Sequence, residues 1–176
     1  GIYTIKVSAD NYTSAKMTFV VLPKELTDAD IESGPSVCVD TGAAQEPTVT
    51  MKSDVVDCTF TYASNSDVGQ GSVTITAPAT GNYSGSVTKN FEITAFELTT
   101  ENTTVSTLTD VEYNGTSQQQ KPDVTVTLNG TETTLKEGTD YTLTYSSDAV
   151  NVGEVKVTVT GMGNYSGTLS DAAAYQ

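Results

Sequence analysis

A corner written twice dominates this sequence. Gly81-Asn82-Tyr83-Ser84-Gly85-Ser86 returns as Gly163-Asn164-Tyr165-Ser166-Gly167-Thr168, and a weaker third version stands at Asp10-Asn11-Tyr12-Thr13-Ser14. Each follows a run in which Val, Ile or Tyr alternates with Thr, Ser or Lys. These runs are Tyr3-Thr4-Ile5-Lys6-Val7, Gly71-Ser72-Val73-Thr74-Ile75-Thr76 and Val155-Lys156-Val157-Thr158-Val159-Thr160. Upstream, Thr59-Phe60-Thr61-Tyr62-Ala63-Ser64 matches Thr142-Leu143-Thr144-Tyr145-Ser146-Ser147, and a Val-Gly step (Val68-Gly69, Val152-Gly153) precedes each later strand. Self-similarity at fixed spacing is the mark of a repeat architecture, so it governs every other reading of the chain.

The register gives one repeat over residues 23–94 and a second over 95–176. Residues 1–22 read as the closing strands of a preceding repeat, or as extra strands docked on the first one. Period-two alternation places one face of each strand inside and one in water. Val124, Val126 and Leu128 oppose Thr125 and Thr127, and Tyr141, Leu143 and Tyr145 repeat the pattern. Asn129-Gly130 suits a two-residue hairpin, whose central positions both need positive φ. Val, Thr and Tyr outweigh helix formers. The expected fold is therefore all-β: short strands broken by turns, assembled as small β-sandwiches in tandem. One helical turn is expected near Thr27-Asp28-Ala29-Asp30-Ile31-Glu32, capped by Thr or Asp.

Charge narrows the partners. With 22 acidic against 8 basic side chains the formal charge is −14, which speaks against nucleic acid and anionic membrane surfaces. Solubility is the plain reading of that acidity. No apolar run approaches the roughly 20 residues of a membrane span, so direct membrane insertion is not expected. The chain opens in mid-strand at Gly1-Ile2-Tyr3, as expected of an excised or processed fragment whose targeting signals lie elsewhere.

The string Gly138-Thr139-Asp140-Tyr141-Thr142-Leu143-Thr144-Tyr145, with Asn151-Val152-Gly153 and Gly161-Met162-Gly163-Asn164-Tyr165-Ser166-Gly167-Thr168, resembles the MBG/YDG-type bacterial immunoglobulin-like repeats of large surface proteins. The resemblance covers about 95–170 well and 36–94 moderately. It implies tandem immunoglobulin-like β-sandwich modules in an extracellular, cell-surface or secreted bacterial protein, with a structural stalk or adhesion role. It carries no catalytic residues. The first repeat departs by having Cys38 and Cys58 where the second has Glu112 and Tyr141, and the last lacks the Phe-x-Ile closure given by Phe91-Glu92-Ile93.

Site chemistry is sparse. The absence of His removes Ser-His-Asp and Cys-His sets and every His-containing zinc site. Carboxylates are plentiful, yet none falls in a recognisable cleft pattern, so neither catalysis nor a cofactor is expected. Cys38 and Cys58 are disulfide candidates, favoured over two separate buried thiols. Closing a loop of about 20 residues would contribute roughly 3 kcal/mol on the chain-entropy model. Strand parity opposes the pairing, because Cys58 shares a face with Phe60 and Tyr62, expected to be buried, whereas Cys38 sits opposite Val37 and Val39. Asp28, Asp30 and Glu32, beside Asp40, are weak calcium candidates. They lack the central Gly and bidentate Glu of a full loop, and a solvated linker is the competing reading.

Asn82, Tyr83, Gly85, Asn164, Tyr165 and Gly167 are read as structural: Gly and Asn make the turn, and Tyr12, Tyr83 and Tyr165 pack onto the sandwich end. Six Asn-x-Ser/Thr sequons occur, at Asn11, Asn82, Asn102, Asn114, Asn129 and Asn164. Lys6, Lys16, Lys89 and Lys156 lie in strands, mostly on the wet face, which disfavours Lys–Asn isopeptide locks. The expected function is a non-catalytic stalk whose partners are neighbouring repeats. The alternative is an adhesion module for a host glycan or protein, with Tyr113, Tyr141 and Tyr145 as its best contact residues. Residues 2–21 are expected either to pair with the first repeat or to complete a neighbouring molecule.

Overall fold

The computed structural model describes residues 1–176 and is all-β apart from one 3-10 turn at Asp28–Asp30. In chain order the strands are β1 (Ile2–Val7), β2 (Ala15–Val20), β3 (Lys24–Glu25), β4 (Ile31–Ser33), β5 (Cys38–Val39) and β6 (Thr50–Met51). Then come β7 (Thr59–Ala63), β8 (Gly69–Thr76), β9 (Tyr83–Ser84), β10 (Ser86–Thr94), β11 (Phe96–Glu97) and β12 (Thr103–Val105). The last are β13 (Val124–Leu128), β14 (Thr131–Thr134), β15 (Tyr141–Tyr145), β16 (Val155–Gly161), β17 (Tyr165–Ser166) and β18 (Thr168–Tyr175). They form several small sheets, an arrangement compatible with a β-sandwich. One sheet runs β5-β10-β8-β7, another β12-β13-β14 and a third β15-β16-β18.

The chain divides into two compact units. The first holds Gly1–Pro35, Thr48–Tyr62 and Val73–Lys89; the second holds Ser36–Pro47, Ala63–Ser72 and Asn90–Gln176.

In the second unit alternation does the work the sequence assigned to it. Val124, Val126 and Leu128 of β13 are buried while Thr127 is exposed, and Val155, Val157 and Val159 of β16 are buried with half-buried residues between them. Val126, Leu128, Tyr141, Val159 and Leu169 meet in one cluster, so the β12-β13-β14 and β15-β16-β18 sheets share a core. A second cluster gathers Ala149, Val155, Val157 and Tyr175. The Asn129-Gly130 hairpin forms as expected, with φ of 49° and 80° and Leu128 opposite Thr131.

The first unit centres on Leu26, Val49, Val55, Val73 and Ile75. Its 3-10 turn sits where one was expected, and the Thr27 N–H and hydroxyl both donate to the Asp30 carboxylate at 2.9 Å. Of the alternatives for the N-terminal hairpin, pairing with the first repeat is not seen. β1 and β2 pair only with each other, from Ile2 opposite Val20 to Val7 opposite Ala15, and every residue of both is exposed. No pairing with residues 23–94 is present. The hairpin even sets Lys6 against Lys16, a like-charge pair that weakens it.

Candidate functional site

The two Asn-Tyr-Ser-Gly corners share a pattern of backbone bonds to a parallel strand. At the first, β3 runs parallel to β9: the Lys24 N–H donates to the Asn82 carbonyl at 2.8 Å and the Leu26 N–H to the Ser84 carbonyl at 2.9 Å. At the second, β11 runs parallel to β17: the Phe96 N–H donates to the Asn164 carbonyl at 2.9 Å and the Leu98 N–H to the Ser166 carbonyl at 2.8 Å. Each corner is closed by a backbone bond to its second glycine, Ala77 N–H to Gly85 (3.0 Å) across a longer turn and Gly161 N–H to Gly167 (2.9 Å) across a shorter one. Gly85 and Gly167 hold φ of 78° and 88°, a left-handed conformation that glycine adopts without steric cost. The opening glycines differ, with φ of 145° at Gly81 and 66° at Gly163.

The consequence is a clasp. A short strand, β3 or β11, is tied to a turn about 60–70 residues further along the chain, and the leucine just after that strand is driven into the core. Leu26 is buried in the first cluster and Leu98 in the other. Tyr83 and Tyr165 pack half-buried against those same clusters, as expected. Tyr12 does not: it is 80% exposed, because its hairpin has no facing sheet to cover the ring.

A matching feature went unread in the sequence. Glu25-Leu26-Thr27 and Glu97-Leu98-Thr99 are identical triplets, each followed three residues after Thr by Asp30 or Asn102. Thr27 N–H donates to the Asp30 carboxylate and Thr99 N–H to the Asn102 side-chain oxygen, both at 2.9 Å. The Asp30 carbonyl accepts from Lys52 N–H (3.0 Å) and the Asn102 carbonyl from Thr127 N–H (2.8 Å). The triplet itself was the available signal.

Three of the calcium candidates, Asp28, Asp30 and Asp40, are engaged locally. Asp30 is 3% exposed and ion-paired with Lys24; that hydrogen bond, followed by those from Thr27, lowers its pKa from 3.8 to about 2. Asp28 pairs with Lys89 at 2.8 Å, Glu32 is exposed, and buried Asp40 accepts from the Gly42 N–H at 2.8 Å. No group of three or more Asp, Glu, His or Cys side chains is placed to share one ion. The two buried carboxylates, Asp30 and Asp40, answer protein donors, the usual condition for burying one.

Tyr83 adds a second polar link. Its hydroxyl donates to Asp54 at 2.6 Å, and the Lys24 ammonium lies 5.2 Å from its ring centre. That hydrogen bond raises the Tyr83 pKa to about 12 and lowers that of Asp54.

Both cysteines are free thiols, contrary to the favoured disulfide. Cys38 lies on β5 beside Ile93 of β10, and its Sγ approaches the Ser36 carbonyl at 3.7 Å. Cys58 packs against the core around Leu26 and Val55, and burial, then the charge of Asp57, pushes its thiol pKa up. The parity argument holds for Cys38, which is half-buried between exposed Val37 and Val39. It fails for Phe60, expected to be buried but exposed on β7, an edge strand of its sheet.

Of the aromatic contact candidates, Tyr141 is buried and Tyr145 half-buried, its hydroxyl donating to the Gln120 carbonyl at 2.8 Å; Tyr113 alone is exposed. Lys156 pairs with Asp171 at 2.9 Å. Among the sequons, Asn102 and Asn114 spend their side chains on nearby Thr groups, and Asn129 occupies the hairpin turn. Asn164 reaches further. Its amide nitrogen donates to Asp67 at 3.3 Å, and its oxygen accepts from the Val68 N–H at 3.2 Å. Comparisons with protein-family models, curated proteins and solved structures gave no match.

Proposed function

We propose that this chain is a non-catalytic structural segment, a stalk built of tandem immunoglobulin-like sandwich repeats in a bacterial cell-surface or secreted protein. The observation that carries this reading is the duplicated clasp: two corners, two preceding strands and two buried leucines joined by the same hydrogen bonds. A clasp of this kind fastens each repeat to the chain that enters it, so that a pull on that chain loads backbone hydrogen bonds rather than a loose linker. The side chains singled out as sites support the same reading, since Asp30, Asp40, Tyr83 and Asn102 all spend their polar atoms on neighbouring groups of the fold. In this reading residues 1–22 are the closing hairpin of a further repeat. The apolar side chains Tyr3, Ile5, Val7, Met17 and Phe19 would be its core face.

Single-molecule stretching of the 1–176 chain tests the organisation. Repeats over 23–94 and 95–176 should release in two separate steps of roughly 200–300 Å each, from about 3.6 Å per extended residue. One step of about twice that length would overturn the tandem reading. Glycan arrays and host-protein pull-downs with the same chain address the role: reproducible, saturable capture of one ligand would replace the stalk with an adhesion module.

A further inference from the structure

The contact made by Asn164 has an unfilled counterpart. Asp67-Val68-Gly69, which leads into β8, corresponds to Asn151-Val152-Gly153, before β16. At the first loop the Asn164 corner supplies one acceptor to the Val68 N–H and one donor to Asp67, and Val68 is 39% exposed. At the second loop Asn151 offers a side-chain oxygen in place of the Asp67 carboxylate, and the Val152 N–H is unpartnered. Val152 is 89% exposed. Beside it lies a cavity of about 120 Å³ whose apolar rim is Val111, Tyr113 and Val150, with polar Gln118 and Gln176 next to them.

The matching corner also has an open counterpart. Asn82 is exposed, its carbonyl taken by Lys24 but its amide group free. It stands in the clasp as Asn164 does, so it presents the same donor and acceptor.

We propose that the Asn151-Val152 loop and its apolar rim are a docking site for the Asn82 corner of a second copy of this chain. In that contact Asn82 accepts from the Val152 N–H and donates to Asn151, while Tyr113 and Val152 lose exposure. The two surfaces are different patches, so the association is heterologous and does not close on itself; it extends head to tail. This rests on the repeat equivalence proposed above, which makes the Asn164 contact the template.

The test uses the full chain in sedimentation velocity and amide NMR, up to about 1 mM, because contacts below ~1,200 Å² give weak encounters. The wild type should show a sedimentation coefficient rising with concentration, with Val152 and the Asn82 side-chain amide shifting together. Asn82→Ala and Asn151→Ala should each remain monomeric. Mixed, they should form a one-to-one dimer, since each retains the surface the other lacks. A wild type that stays monomeric at about 1 mM, or association that persists in either single variant, overturns the proposal; the latter would point to the exposed β1–β2 hairpin as the contact. Asn164→Ala separates this failure from that of the template. The Val68 amide resonance should move in that variant in dilute, monomeric protein; if it does not, the equivalence itself is at fault.

Discussion

Consider alanine at the closing glycine of each corner. Gly85 and Gly167 both hold positive φ, and an L-residue in that conformation costs about 1–2 kcal/mol. The corners then part company. A Cβ on Gly85 would meet only the Glu25 side chain, its Cγ at 3.4 Å and its Oε1 at 3.8 Å, ordinary contacts with a mobile side chain. A Cβ on Gly167 would stand 2.7 Å from the Leu98 carbonyl oxygen and 3.3 Å from the Leu98 nitrogen. Those are backbone atoms of the clasp and cannot rotate away. Relief requires the chain at Leu98 to withdraw from β17. That gives up the Leu98 N–H bond to Ser166, a net loss of about 1 kcal/mol, and part of the roughly 1.5–3 kcal/mol gained by burying leucine. Gly85→Ala should therefore cost about 1–2 kcal/mol and Gly167→Ala about 3–5 kcal/mol. Urea unfolding of the full chain would read the totals. Hydrogen exchange at Val157 and Val159 against Val73 and Ile75 would locate them. Equal losses, or a larger loss at Gly85, would refute the reasoning from the clasp.

Four further outcomes follow from the same geometry. Asp30 and Asp54 have folded pKa values below the ordinary 3.8, about 2 for Asp30, so their contribution is present above about pH 4 and is lost as pH falls toward 2. Tyr83 is raised to about 12, so its contribution is lost as pH climbs from 10 through 12. Tyr83→Phe should shallow both limbs of a pH–stability profile; the alkaline limb that remains comes from Tyr141, Tyr145 and Tyr165, also raised by burial, with Cys58, Lys121 and Lys156, raised as well. Lys24→Phe should lower the unfolding midpoint by stranding buried Asp30, and adding Asp30→Asn should recover most of it; no recovery would break the link between the two positions. Thiol titration of non-reduced protein should find two thiols after denaturation, with Cys58 the slower to react in the native state; none would restore the disulfide. Amides of β1 and β2 should exchange far faster than those of β16, since an isolated two-stranded hairpin is marginal in water. Lys6→Glu, facing Lys16, should slow that exchange by the equivalent of about 0.2–1 kcal/mol.

Alternation and turn chemistry were readable because their physics is local. Val124 to Leu128 declared an inner face by period two, Asn129-Gly130 declared its hairpin by positive φ, and Thr27 to Asp30 declared a capped turn; all three are present. What could not be read depends on partners distant in sequence. Phe60 obeys its alternation yet is exposed because β7 is an edge strand. The apolar face of β1 and β2 obeys it too, with no second sheet to close over it. Asp30 looked like a surface carboxylate in a loose acidic cluster, and only the path of β3 brings Lys24 to it. The cysteines show the same limit. Their spacing permits a bridge, but Cβ geometry decides one, and that geometry is set by the strands each cysteine occupies.

The clasp also shows why residues 96–102 match residues 24–30 imperfectly in sequence while making similar hydrogen bonds. What the fold requires at Asp30 and Asn102 is an oxygen three residues after Thr, facing the Thr backbone N–H. A carboxylate supplies it, but burying one demands a counter-charge, and Lys24 on β3 is that charge. An amide supplies the same oxygen without charge, and its spare N–H donors need an acceptor instead; Asn102 donates to the Glu97 carbonyl at 2.9 Å. The position matching Lys24 is then released from electrostatic duty and is occupied by Phe96, half-buried against the core. Lys with Asp, or Phe with Asn, are thus two solutions to one backbone requirement. Exchanging a single member, rather than the pair, leaves either a buried charge without its partner or a lysine without its anion.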